Sequence, residues 1–80
     1  MKVQILGPGC AKCRSLEERV RQLVAQHQLP VEVEKVTDIQ EMINRGILAT
    51  PGLVVDGVLK SAGTIPKDDK LLAWMKGTDA

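Results

Sequence analysis

Two glycines, a proline and both cysteines of the chain fall in one short stretch, Gly7-Pro8-Gly9-Cys10-Ala11-Lys12-Cys13. It constrains the fold more than any other segment. Gly-Pro-Gly ends whatever precedes it, because the glycines free the backbone to turn while Pro8 fixes φ between them. Before it, Met1 to Leu6 reads as a strand, with Val3, Ile5 and Leu6 as the β-favouring or apolar groups and Lys2 and Gln4 giving partial alternation. After it, from about Cys10, an amphipathic helix begins. The cysteines therefore stand at a strand-to-helix junction with the Cys-x-x-Cys spacing, which points to a redox pair or to half of a metal site.

The helix is marked by Leu16, Val20, Leu23, Val24 and His27 at steps of three and four, a stripe that Cys13 continues backwards. Arg14, Glu17, Glu18, Arg21 and Gln22 fill its outer faces, with Glu17 and Arg21 an i,i+4 pair in the favourable order. Pro30 ends it. Val31 to Val36 alternates and is β-branched, which predicts a strand with Val31 and Val33 on one face. Thr37 and Gln40 have capping-box spacing for a short helix over Asp38 to Arg45, with Ile39, Met42 and Ile43 as its apolar side and Gly46 just past its end.

Asp56-Gly57 separates Gly52-Leu53-Val54-Val55 from Val58-Leu59-Lys60-Ser61, which predicts a two-residue hairpin of type I′, and Gly63 closes it. Pro66 opens a last helix, with Asp68 and Asp69 early and Lys76 late as the helix dipole favours. Ile65, Leu71, Leu72 and Met75 are its expected core contacts, with Trp74 at the rim, and residues 77–80 are expected to fray.

The predicted order is β-α-β-α-β-β-α in one α/β domain over residues 1–76. A right-handed crossover makes the first two strands parallel, and the hairpin makes the last two antiparallel. The expected sheet is mixed and four-stranded, in the order 2-1-3-4, with the first and last helices on one face and the short helix on the other. Cys10 then lies beyond the carboxyl end of the first strand, where open α/β sheets place their sites.

Composition narrows the function. A chain of 80 residues is one domain with a modest core. Eleven Lys plus Arg against ten Asp plus Glu leave a formal charge of +1, which argues against an electrostatic grip on nucleic acid or a membrane. One Trp and no Tyr or Phe provide no stacking platform for single strands. Two cysteines do not make the framework of a small secreted domain. The apolar run before Gly7 is too short for a signal peptide, and no stretch reaches the length of a membrane span. The expected location is the cytoplasm.

At the first turn of a helix, Cys10 faces unpaired backbone N–H groups and the positive end of the dipole, and Lys12 and Arg14 are either charges that tune the thiolate or a plain solvated helix start. A fall in its pKa from about 8.5 to about 6.5 would raise the thiolate fraction at pH 7 from roughly 3% to roughly 75%. Cys10 is thus the candidate attacking thiol, and Cys13, one turn further on the buried face, the candidate resolving thiol. Two other readings stay open: an inert, partly buried pair, and two soft ligands for copper, zinc or a related ion. A closed zinc site usually has four ligands, and His27 lies roughly 25 Å down the helix. Met42 and Met75 are placed as core fillers. Thr50-Pro51 enters an apolar strand either as a cis turn or as an ordinary trans proline opening an edge strand. Leu6, Pro8, Ile47, Leu48 and Ala49 are either an apolar rim for a docked polypeptide or ordinary packing.

Cys10-Ala11-Lys12-Cys13 at the first helix, followed by Thr50-Pro51 before a strand and hairpin, resembles the thioredoxin–glutaredoxin superfamily. The whole of residues 1–76 is similar to its small redox-active disulfide proteins, through Ile5-Leu6-Gly7, Gly9 to Cys13, Glu32 to Ile39, Ala49-Thr50-Pro51, Leu53 to Gly57 and Ser61-Ala62-Gly63. The resemblance implies a thioredoxin-like fold. It also implies a cis Pro51 facing the cysteines and a Thr50 backbone that pairs with extended substrate, with Gly9 and Lys12 in support.

The chain departs from its relatives in three places. Ala11-Lys12 stands where thioredoxins have Gly-Pro and glutaredoxins commonly Pro-Tyr. The first strand carries no acid like the buried aspartate of thioredoxins. Ala62-Gly63-Thr64 replaces the Gly-Gly of the glutathione-binding members, with Asp68 and Asp69 later. The expected function is thiol–disulfide exchange between Cys10–Cys13 and a protein or small-molecule disulfide. No bound cofactor is implied; a separate reductant is, and the expected state is a monomer that binds neither nucleic acid nor membrane. The alternative is a metal-binding or metal-trafficking module using the same thiolates. The heavy-metal carrier fold, however, runs β-α-β-β-α-β with Met close before its first Cys.

Overall fold

Alternation in the first strand sets the two faces of the sheet. In a computed structural model describing residues 1–47 and 49–77, β1 (Lys2–Leu6) directs Val3 and Ile5 to one apolar cluster and Leu6 to another. The remaining elements are α1 (Ala11–His27), β2 (Glu32–Val36), α2 (Ile39–Asn44), β3 (Gly52–Val55), β4 (Val58–Ala62) and α3 (Asp68–Lys76). The sheet order is β2-β1-β3-β4, with β1 parallel to β2, antiparallel to β3, and β3 antiparallel to β4. This is the predicted α/β layout. No helix among the described residues is long and apolar enough to cross a membrane.

The larger cluster joins Val3, Ile5, Leu53 and Val55 of the sheet to Leu16, Val20 and Leu23 of α1 and to Leu71 and Met75 of α3. Val31 and Val33 pack against it half-buried. Each fully buried aliphatic side chain here contributes about 1.5–3 kcal/mol of transfer free energy. The exposed Arg19–Asp68 ion pair, 3.5 Å, also links α1 to α3. At the end of α1, Gln28 takes a left-handed φ of 50°, and the N–H groups of Gln28 and Leu29 donate to the carbonyls of Ala25 and Val24. These backbone bonds satisfy last-turn carbonyls. His27, placed by its spacing at the end of the apolar stripe, is exposed, and the stripe ends before it.

The other face carries Leu6, Val54, Met42 and Ile47, with Val36 half-buried beside them. Here α2 departs from the sequence expectation. It is shorter by one residue at each end, and its N-cap is Asp38, whose Oδ1 accepts from the Gln40 N–H at 2.9 Å. The capping box from Thr37 is not formed. Gly46 takes the expected left-handed turn past the end (φ +71°), donating to the Ile43 carbonyl while Ile47 donates to that of Met42. Only Met42 reaches the core; Ile39 and Ile43 are 64% and 62% exposed. The cause is what the helix covers. Gln4 and Glu34 hydrogen-bond to one another at 3.2 Å, with Lys2 on the far oxygen of Glu34 at 2.8 Å. The apolar part of this face is left small enough for Met42 and Ile47 to fill.

In the hairpin, Asp56 and Gly57 have φ of 48° and 83°, the positive values a type I′ turn requires. Beyond the turn, α3 starts at Asp68 with Lys67 as N-cap, two residues later than Pro66. Ile65 accordingly stays in the preceding loop, 42% exposed, and contributes no core contact like those of Leu71 and Met75. Trp74 is half-buried against the core edge.

Candidate active site

Parallel pairing brings the carboxyl ends of β1 and β2 to one edge of the sheet, and antiparallel pairing brings the start of β3 to the same edge. Leu6 pairs with Val36 on one side and Gly52 on the other. The Gly7 N–H extends the first ladder, donating to the Val36 carbonyl at 2.9 Å. The chain then turns through Gly9 at φ +93° and delivers Cys10 to the head of α1.

Cys10 is the N-cap of that helix. Its backbone is extended, its carbonyl accepts the first helical bond from Arg14 at 3.0 Å, and its sulfur accepts from the Cys13 N–H at 3.4 Å. Sulfur here takes the place a Ser, Thr or Asp oxygen usually holds, aimed at unpaired amides at the positive end of the helix dipole. Cys13 follows one turn later on the stripe of Leu16 and Val20, so it is buried where Cys10 is exposed. Both are free thiols, with sulfurs 2.6 Å apart and in hydrogen-bond contact.

The two environments push the thiols apart. Cys10 is held below the ordinary thiol range, chiefly by the hydrogen bond to its sulfur from the Cys13 side chain. Backbone N–H groups of Cys13 and Lys12 and the side chain of Thr50 act in the same sense. Cys13 is pushed up, first by burial and then because its own proton serves the bond to Cys10. The leading causes for Cys10 are hydrogen bonds, not the charges of Lys12 or Arg14, whose side chains are exposed.

Thr50 thus meets Cys10 across the fold, and the peptide bond joining it to Pro51 is cis. Pro51 is fully buried at the head of β3, and its carbonyl accepts from Gly63 at 2.9 Å. Cys10, Cys13, Gly9 and Thr50-Pro51 therefore converge on one edge. The proposed apolar rim is only partly present. Pro8 and Ala49 are exposed, but Leu6 and Ile47 are sealed in the core beneath α2, and Leu48 lies outside the described residues. Among the described residues, no group of three or more His, Cys, Asp or Glu side chains is placed to hold a metal ion.

The sequence reading gave Gly7 a role in the turn alone. Gly7 is buried against Cys13: a Cβ built on it would overlap the Cys13 sulfur and lie 3.2 Å from the Cys13 Cβ and 3.8 Å from the Thr50 Cβ. The only sequence signal is a glycine closing an apolar strand just before a Cys-x-x-Cys. A simple turn explains such a glycine equally well.

Residues 1–76 match the family described as Thioredoxin domain. The thioredoxin of Methanothermobacter thermautotrophicus is 38% identical over 71 residues, covering 89% of this chain and 92% of that protein. The thioredoxin of Methanocaldococcus jannaschii is 34% identical over 74 residues, covering 92% and 85%. With the sheet order and the helix placement already described, these similarities establish that the chain belongs to the thioredoxin-domain family.

Proposed function

We propose that this protein catalyses thiol–disulfide exchange, with Cys10 as nucleophile and Cys13 as resolving thiol. The observation that carries the reading is the inequality of the pair: an exposed, helix-capping sulfur held below the ordinary thiol range, 2.6 Å from a buried one pushed above it. The Cys10 thiolate attacks one sulfur of a substrate disulfide. A Cys10–substrate bond forms, the substrate disulfide breaks, and the leaving sulfur takes up a proton. Cys13 then gives up its proton and attacks Cys10, closing the Cys10–Cys13 disulfide and releasing the second substrate thiol. Two electrons and two protons pass to the substrate, and a separate thiol reductant, supplying two electrons and two protons, returns the pair to its starting state.

Burial suits Cys13 to waiting: it is a poor nucleophile toward solvent reagents but adjacent to the one sulfur it must attack. The backbone at Thr50, beside the cis peptide, is the part of the site that would pair with an extended polypeptide, in the manner of strand addition. Metal trafficking remains the weaker reading, because the same site offers two soft thiolates and no cluster of three or more donors among the described residues.

Single serine substitutions test the proposal. With a peptide carrying an intramolecular disulfide, Cys13→Ser should accumulate a covalent mixed disulfide through Cys10, visible by mass spectrometry. Cys10→Ser should accumulate none. If neither variant traps the peptide, exchange is not the function of this pair.

A further inference from the structure

We infer that Gly7 is a positioning residue for the resolving step: the side chain it lacks is the space in which the Cys13 thiol stands. This rests on the exchange reading above. Two glycines flank Pro8, and they are glycine for different reasons. Gly9 has φ +93°, with nothing within 4 Å of a Cβ built on it, so its requirement is conformational. Gly7 has no left-handed φ, and any residue could adopt its backbone; its requirement is spatial. A methyl group there would occupy the position of the Cys13 sulfur.

Neither main chain is free to back away. Gly7 is fixed by its hydrogen bond to Val36 at the end of the β1–β2 ladder. Cys13 is fixed by α1, whose Leu16 and Val20 are fully buried in the core. The element that can yield is the sulfur itself, by rotation about its Cα–Cβ bond to another staggered position. That rotation carries it away from Cys10, now 2.6 Å distant. Near neutral pH the Cys13 bond favours the Cys10 thiolate, but well above the ordinary thiol pKa Cys10 is ionised without it, and attack on substrate through the exposed sulfur does not need Cys13 in place. Closure of the Cys10–Cys13 disulfide does.

The prediction is a split between the two steps. At alkaline pH, where Cys10 is thiolate in every variant, Gly7→Ala should form the mixed disulfide with the disulfide peptide at close to the wild-type rate. Release of the reduced peptide should slow by roughly ten- to hundredfold, the scale that about 1 Å of misplacement costs a reacting group. Cys13→Ser serves as the control. If it traps the peptide but Gly7→Ala releases it as fast as wild type, the role of Gly7 is overturned and the exchange reading stands. If Cys13→Ser fails to trap, the exchange reading falls and takes this one with it.

Should Gly7→Ala unfold, thermal midpoints in the full chain decide. Gly7→Ala should lower the midpoint clearly in the wild type and much less in a Cys13→Ala background, where the sulfur is gone. Equal losses in both backgrounds would show that the methyl meets something other than the thiol and would overturn the proposal.

Discussion

Asp56 holds the hairpin to the first strand as well as turning it. Its Oδ1 accepts from the Lys2 N–H at 2.7 Å, and its own N–H donates to the Lys2 carbonyl at 2.8 Å, while its φ of 48° is one that Asp and Asn tolerate better than most residues. Asp56→Ala loses both the acceptor and that tolerance, and should destabilise by about 1–3 kcal/mol in urea unfolding. Asp56→Asn keeps both and should change stability by no more than about 0.5 kcal/mol. Equal effects would show that the side-chain bond to Lys2 contributes nothing. Asp56-Gly57 was legible in the sequence because a type I′ turn is a local demand on two residues. Gly7 was not, for the opposite reason. Its requirement is set by Cys13, from a different element, and spacing in a sequence carries no record of which helix residue will lie over which strand end.

At the scale of elements, α2 shows where local pattern misleads. Thr37-x-x-Gln40 fits a capping box, but Asp38 also offers an oxygen, one residue nearer the helix, and it is the one used. Asp38→Ala should therefore cost about 1 kcal/mol in urea unfolding, whereas Thr37→Ala should stay within about 0.5 kcal/mol. The reverse order would restore the capping box. Ile39 and Ile43 read as core by helical periodicity, yet periodicity says only which residues share a stripe. How wide a stripe is buried depends on the surface beneath, and here the Gln4–Glu34–Lys2 cluster narrows it. By contrast, α1 is read correctly from Cys13 to Val24 because its stripe meets a continuous apolar sheet face made by Val3, Ile5, Leu53 and Val55. His27 fell outside for want of such a surface at the helix end.

Across the whole molecule, the strand order was legible because few topologies satisfy a right-handed crossover followed by a tight hairpin. That order does the work of assembly: it brings Gly7 to Cys13 and Thr50-Pro51, far apart in sequence, to one edge of one sheet. The unequal roles proposed for the two thiols, legible in the sequence from the helix start and its buried face, are supported by the capping position of Cys10 and the burial of Cys13. A thiol whose pKa is depressed is already thiolate below the ordinary value of about 8.5 and so reacts at lower pH. A thiol whose pKa is raised stays protonated and slow until above it. The direct measurement is site-resolved alkylation of the fully reduced protein by iodoacetamide across pH, read by mass spectrometry. With the sites as described, Cys10 is modified first and its rate rises with a midpoint below about 8.5, while Cys13 lags and titrates above that value. Alkylation of Cys13 as fast as Cys10, or a Cys10 midpoint at or above about 8.5, would contradict the division of labour between attacking and resolving thiols.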